Sequence, residues 1–457
     1  MFGASLILAR FLLPTDIGIF SIAVVFINIV AVFRDFGVSS YIVREEHLTA
    51  SKIRSALGLV LTASWILALG LYIGADYISR YYKQPGVADV MHVLTFSFLL
   101  VPYASVLSAL LMREMEAGKS AFVTTGSTLV FCATGITLAY LSYGYMAMAW
   151  ANVANLVTNI ACLLIVKPKG RILIPSFRGW VAPIRFGGGA IFSNLINVAN
   201  SSLPDLLLGK VAGPREVGLY SRANGLVGIF QQIVGPAIKY NALPFIAKNH
   251  HAKAPFTPVF STASSFVTCL AWPAFSFIGV FAKEVISTLY GNQWIDAAPL
   301  VMVLCTSAAV QAGYSLSQPA LVAIGRPLLD AWANGINLLA RLLCITFAFL
   351  WSPESPSMLL LATAVCIADV ISLPIQPWLL SRYMGYPWKS SMIAHTISAK
   401  VATACLIATL LMKTVVPSDW PSLLQLLAAA MVEGGIWIVA IHFFSHPIAK
   451  ELKRTSH

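Results

Sequence analysis

Paired metal ligands are missing from this chain. Its cysteines, at 132, 162, 269, 305, 344, 366 and 405, stand singly and form no CxxC pair, so no zinc or redox centre is indicated. They read as small apolar packing residues, and no metal or other cofactor is expected. Charge is scarce too, with Asp, Glu, Lys and Arg at 11% of 457 residues. No G-x-x-x-x-G-K-[ST] occurs, which excludes a P-loop ATPase within the chain. Residues 1–13 lack the basic start and small-residue cleavage site of a secretory signal. No segment between apolar runs exceeds about 20 residues, too little for a soluble domain. No large loop carries clustered carboxylates or histidines of the kind a membrane polymerase or glycosyltransferase would need. The chain is therefore not expected to be an enzyme.

What is present is apolar surface. Hydrophobic residues make up 58% of the chain and the mean hydropathy is +0.79. A soluble protein of this size could not bury that much, so the solvent is lipid. Apolar runs predict about fourteen spans, near 1–13, 17–33, 56–78, 88–111, 120–141, 146–166, 181–207, 216–238, 257–282, 297–320, 328–350, 358–380, 390–412 and 422–445. The expected fold is an all-α, multi-pass membrane protein. The first span is short: thirteen residues make a helix of roughly 20 Å against a ~30 Å hydrocarbon core, as though a piece preceded it.

The 30 Lys and Arg against 18 Asp and Glu report orientation rather than nucleic acid. With odd spans running outward, Arg34, Arg44, Lys52, Arg54, Arg113, Lys119, Lys167, Lys169, Arg171, Arg178 and Arg185 fall on the cytoplasmic side. So do Lys239, Lys248, Lys253, Arg326, Arg382, Lys389, Lys450, Lys453 and Arg454. Only Arg80, Lys83, Lys210, Arg215, Lys283 and Lys413 fall outside, a positive-inside bias. The loop histidines His250 and His251 read as a solvated, headgroup-facing segment. His92, His395 and His442 read as packed or interfacial.

One phrase is written twice. LILARFLLPTDIGIFSIA at 6–23 and LLLGKVAGPREVGLYSRA at 206–223 share Leu6/Leu206, Leu8/Leu208, Pro14/Pro214, Gly18/Gly218, Ser21/Ser221 and Ala23/Ala223. Each copy ends one span and opens the next. The proline starts a helix, the acid faces that helix's positive end, and the glycine permits close approach. Two copies one six-span period apart indicate duplication. The expectation is two six-helix bundles, 1–166 and 181–381, related by a pseudo-two-fold along the membrane normal. A cytoplasmic linker, 167–180, joins them, and 382–457 adds two further helices and a basic tail.

The spans carry polar stripes at helical spacing: Asn28 in the second, Asn152, Asn155 and Asn159 in the sixth, and Asn194, Asn197 and Ser201 in the seventh. Gln311 and Ser315 lie in the tenth, Asn334 and Asn337 in the eleventh. Interhelical hydrogen bonding accounts for any one of them. Taken together they suit the wall of a wet cavity and a polyhydroxyl cargo. Charges at membrane depth are costly and functional by default. Arg10, Arg222 and Arg341 are candidates to hold an anionic headgroup. Asp205 and Asp369 are candidates for coupling to an ion. Arg341–Asp369 and Lys400–Glu433 also sit at matching depths for structural pairing.

LARFLLPTDIGIF (8–20) followed by RDFGVSSYIVREEHLT (34–49) resembles the opening of bacterial Wzx-type polysaccharide flippases. These belong to the multidrug/oligosaccharidyl-lipid/polysaccharide flippase superfamily. NSSLPDLLLGKVAGPREVGLYSRA (200–223), GNQWIDAAPL (291–300) and AIGRP (323–327) are similar to later parts of the same family. The resemblance implies a V of two six-helix bundles opening alternately to each side of the bacterial inner membrane. It implies an undecaprenyl-pyrophosphate-linked oligosaccharide as cargo, moved from the cytoplasmic to the periplasmic leaflet for O-antigen, capsule or exopolysaccharide synthesis. Lipid-linked oligosaccharide, membrane lipid and other polysaccharide-assembly proteins are the implied partners; nucleic acid is not. A cation-coupled multidrug exporter of the same fold, and a membrane enzyme of glycan assembly, are the competing readings.

Overall fold

The computed structural model describes residues 2–35, 37–166, 174–230, 232, 256–324, 326–351, 357–417 and 419–449. Its elements are α1 (Phe2–Phe11), α2 (Pro14–Asp35), α3 (Val38–Arg44), α4 (Ala50–Tyr82), α5 (Pro85–Arg113), α6 (Ala117–Tyr140), α7 (Tyr145–Val166) and α8 (Val181–Val211). Helix α9 covers 214–230. Then follow α10 (Phe256–Val280), α11 (Ala282–Leu289), a 3-10 turn (Asn292–Ala297), α12 (Ala298–Ala312), α13 (Ser317–Ala323) and α14 (Pro327–Trp351). The chain ends in α15 (Met358–Ser372), α16 (Ile375–Met384), α17 (Trp388–Val415) and α18 (Ser422–Phe443). No strand occurs among the described residues.

Among the described residues, eleven segments are long and apolar enough to cross a membrane. The predicted fourteen are not reached by that measure. The remaining three segments are helical, as α1, α8 and α9. Helix α1 has ten residues. Helix α8 is diluted by Asn194, Asn197, Asn200, Ser201, Ser202 and Asp205. The predicted 216–238 span runs into residues outside the described ones. Two predicted spans are interrupted. One breaks at Gly313, whose carbonyl accepts from Ser264 and His395. The other breaks at Leu373–Pro374, between α15 and α16, where proline removes a helical donor.

The contacts divide the chain into two units, Met1–Ser221 and Arg222–His457. In the first, α5 packs between α4 and α7, α6 lies along α7, and α2 lies against α8. Glycine 37, at φ 65°, turns the chain out of α2 into α3. Val38, Tyr41 and Ile42 of α3 bury against Ile53, Leu57 and Val60 of α4 and Val106 and Leu110 of α5. Arg113 donates to the Ile42 and Glu45 carbonyls at the end of α3, where a cation is favoured. Ser176 N donates to Arg54 O at 2.8 Å, and Gly58 leaves no room for a Cβ beneath the Ser176 carbonyl. The second half of the predicted linker is thus laid along α4; its first half, with Lys167, Lys169 and Arg171, lies outside the described residues, as do His250 and His251.

In the second unit α10 is central, flanked by α12 and α17, with α18 on α17 and α15 between α12 and α14. Helices α17 and α18 are anchored at several levels. Ser398 of α17 receives Thr268 Oγ1 of α10 at 2.9 Å and meets the fully buried His446 ring at 3.2 Å. Lys413 pairs with Glu284 of α11. The expected Lys400–Glu433 pair does not form: Lys400 is exposed and Glu433 buried, with no ion pair between them. The two positions share a depth, but the faces of α17 and α18 carrying them do not meet. His395 is packed, bonded to Gly313 O at 3.1 Å, and His92 stacks on Tyr72. All seven cysteines are free thiols.

Two helix prolines show how the interior is satisfied. Pro102 in α5 has no N–H for the Phe98 carbonyl four residues back. Ser64 of α4 donates to that carbonyl at 2.6 Å. Pro273 in α10 frees the Cys269 carbonyl in the same way, and the Trp437 indole of α18 donates to it at 3.0 Å. Each repair fastens one helix to another. Ser64→Ala and Trp437→Phe are each expected to cost about 1–3 kcal/mol, the price of an unsatisfied buried carbonyl. A lowered thermal midpoint of the purified protein in detergent checks this; an unchanged midpoint contradicts it.

Candidate functional site

The two copies of the repeated phrase meet each other. A Cβ added to Gly18 would run into the Pro214 carbonyl, and one added to Gly218 would run into the Pro14 carbonyl. Between them, Ser21 Oγ lies 3.2 Å from Ser221 Oγ. Each of these three contacts pairs a position in one copy with its counterpart, or with the counterpart's proline, in the other. The first turns of α2 and α9 therefore cross backbone to backbone about a local two-fold. Two glycines make that crossing possible, because any side chain would hold the helices apart.

The other words of the phrase support this crossing. Asp16 caps α2, accepting from Leu13 N at 3.1 Å. Lys210, at the end of α8, donates to Tyr81 O at 2.9 Å and lies 3.7 Å from the Tyr81 ring centre. Tyr82 donates to Leu206 O at 3.2 Å, and Gly209 faces Ile22 and Tyr82. Arg10, the counterpart of Lys210, is exposed at the end of α1.

In the second unit one carboxylate collects five donor contacts from two helices. Asp369 of α15 has a side chain only 2% exposed. Its Oδ1 accepts from Arg341 Nη2 at 2.8 Å, Arg341 Nε at 3.1 Å and Asn337 Nδ2 at 3.0 Å. Its Oδ2 accepts from Gln311 Nε2 at 3.0 Å and from Ser307. The pairing of Arg341 with Asp369 is the structural alternative that their depth had suggested. Nearby, Asn334 Nδ2 donates to the buried Asp330 at 3.1 Å.

The remaining sequence candidates sort by burial. Arg222 is 9% exposed, with its guanidinium 5.8 Å from the Tyr290 ring centre and 5.7 Å from that of Trp294. Asp205 Oδ1 is buried with no hydrogen-bond partner among the described residues. Asn28, Asn152, Asn194 and Ser201 are exposed, and Asn159 and Asn197 half-buried. Asn155 donates to Ser127 O of α6 at 2.9 Å, and Ser315 donates within its own turn to Ala312 O. Sequence reasoning passed over Ser307, Asp330, Tyr290 and Trp294. The i,i+4 spacings Ser307/Gln311 and Asp330/Asn334 were the available signal; nothing local marked the two aromatic residues as the surroundings of Arg222. Among the described residues no group of His, Cys, Asp and Glu could hold a metal.

A stack of apolar helices fastened by intramembrane polar bonds defines a multi-pass membrane protein, all-helical among the described residues. The fold is that of a lipid II flippase MurJ in an inward closed conformation, matched with a TM-score of 0.73 at 15% identity over 99% of this chain and 98% of the other. An inward-facing MATE-family multidrug transporter matches with a TM-score of 0.65 at 15% identity over 83% of this chain and 93% of the other. Residues 7–299 match the polysaccharide biosynthesis protein family, and the chain belongs to it. Among relatives, the succinoglycan biosynthesis transport protein ExoT of Rhizobium meliloti is 22% identical over 98% of this chain and 90% of its own length. The lipopolysaccharide biosynthesis protein WzxC of Escherichia coli is 22% identical over 65% of this chain and 61% of its own.

Two outcomes check the geometry. Ser21→Cys combined with Ser221→Cys is expected to cross-link on mild oxidation, and adding Gly218→Leu to abolish the cross-link, read by altered gel mobility after cleavage between the positions. Arg341→Ala is expected to destabilise by about 3–5 kcal/mol because it strands a buried carboxylate. Arg341→Ala with Asp369→Ala is expected to lose less than the sum of the single changes, read in a double-mutant cycle of unfolding in denaturing detergent.

Proposed function

We propose that the protein is a flippase that carries lipid-linked oligosaccharide across the membrane, its glycan passing along the polar stripes while the lipid tail stays in the bilayer. Membership in the polysaccharide biosynthesis family carries this reading, and relatives named as transport and flippase proteins support it. So does the exposure of Asn28, Asn152, Asn194 and Ser201 on membrane-length helices. Amides are expensive against acyl chains and belong where water enters.

The finer parts of the proposal are these. The cargo is an undecaprenyl-pyrophosphate-linked repeat unit, and the membrane is the bacterial inner membrane. Arg10, Arg222 and Arg341 serve the anionic headgroup. Bundles at 1–166 and 181–381 give alternating access, and the Gly18–Gly218 crossing is a closed gate at the outer end. Asp205, with a buried oxygen lacking a partner among the described residues, is the better placed of the two acids for ion coupling; both oxygens of Asp369 are engaged. Cation-coupled drug export on the same fold is the second reading, favoured by the multidrug transporter likeness. It is ranked lower because Asp330 and Asp369 already face amide or guanidinium donors.

Reconstitution tests the proposal. The purified protein in liposomes is expected to bring lipid-linked oligosaccharide to the far leaflet faster than empty liposomes do. Arg222→Ala is expected to slow this at least tenfold per folded molecule, the order of one lost charge-assisted bond. A wild-type rate equal to that of empty liposomes defeats the proposal.

A further inference from the structure

Three amides of the second unit turn the same end to an acid. A carboxylate only accepts hydrogen bonds, so an amide beside one must present its NH2 end. Gln311 Nε2 faces both Asp369, at 3.0 Å, and Ser307 Oγ, at 3.2 Å. Asn337 Nδ2 faces Asp369, and Asn334 Nδ2 faces Asp330 at 3.1 Å. The chemistry of the partner settles each flip. All three carbonyl ends therefore point away from the acids, and Gln311 is exposed.

We propose that Asp369 is a positioning residue that sets the polarity of this stripe, so that Gln311 and Asn337 offer acceptor oxygens to the cargo. Such a wall recognises hydroxyl donors. It suits a neutral, hydroxyl-rich glycan and opposes a sugar carboxylate, which brings acceptors to acceptors. The proposal rests on the reading that the cargo carries a glycan. Asp369 acts through the amides and need not touch the cargo. Asp369 binds the amides of α12 and α14 from α15, so a single group orients two helices' worth of stripe.

The test compares two probes on protein in lipid nanodiscs: a polyprenyl-pyrophosphate-linked trisaccharide of neutral hexoses, and its counterpart ending in glucuronate. Affinity is read from tryptophan fluorescence, and flipping is measured separately in liposomes. Wild type is expected to prefer the neutral probe by roughly tenfold, the discrimination of about one mismatched polar contact. Asp369→Asn, which allows the amides to turn round, is expected to bring that ratio near one while the protein remains folded. Gln311→Met is expected to weaken the neutral probe several-fold and leave the glucuronate probe nearly unchanged. This second variant decides the matter if Asp369→Asn does not fold. Equal wild-type affinity for both probes, or an unchanged ratio in folded Asp369→Asn, overturns the proposal and leaves flipping intact. Binding of neither probe together with no flipping overturns the functional reading and this proposal with it.

Discussion

A polar group inside a bilayer has no water to turn to, so each must find its partner in the protein. The rest of this structure follows from that requirement. Apolar burial does little to hold one helix against another in lipid, whose chains are as oily as leucine. Helices are fastened where a polar group has been left over. Pro102 frees a carbonyl and Ser64 takes it; Pro273 frees another and Trp437 takes it. Asp369 gathers α12, α14 and α15 around one carboxylate. Such bonds specify which helix faces which, a matter that oily surfaces alone leave open.

The same requirement separates the two intramembrane acids. Asp369 has a donor for each oxygen. Asp205 has a buried oxygen without one among the described residues, an arrangement that is costly to keep. The glycine crossing works by the opposite principle. Where the two glycines leave out a side chain, the helices approach backbone to backbone, with the Ser21–Ser221 hydrogen bond beside the contact.

Much was legible in the residues. Composition made lipid the solvent, and hydropathy placed helices in all fourteen predicted segments, although α1, α8 and α9 fall outside the eleven that length and apolarity select. The depth match of Arg341 and Asp369 foresaw their pairing, and the duplicated phrase marked the positions that cross. Errors came where depth stood in for direction. Lys400 and Glu433 share a depth and do not meet. The breaks at Gly313 and Pro374 were missed because an apolar run reads the same whether its helix is straight or interrupted.

By itself the sequence determined the medium, the helical class, the family and the duplicated turn, because these depend on local composition and on order along the chain. Only the tertiary structure decided that Pro14 faces Gly218 and Pro214 faces Gly18, that Arg222 lies against Tyr290 and Trp294, and that three amides turn their donors inward. Helical periodicity assigns a residue to a face but carries no record of which neighbour that face will meet. The neighbour is chosen when all the leftover polar groups are satisfied together, a condition on the whole assembly rather than on any one span.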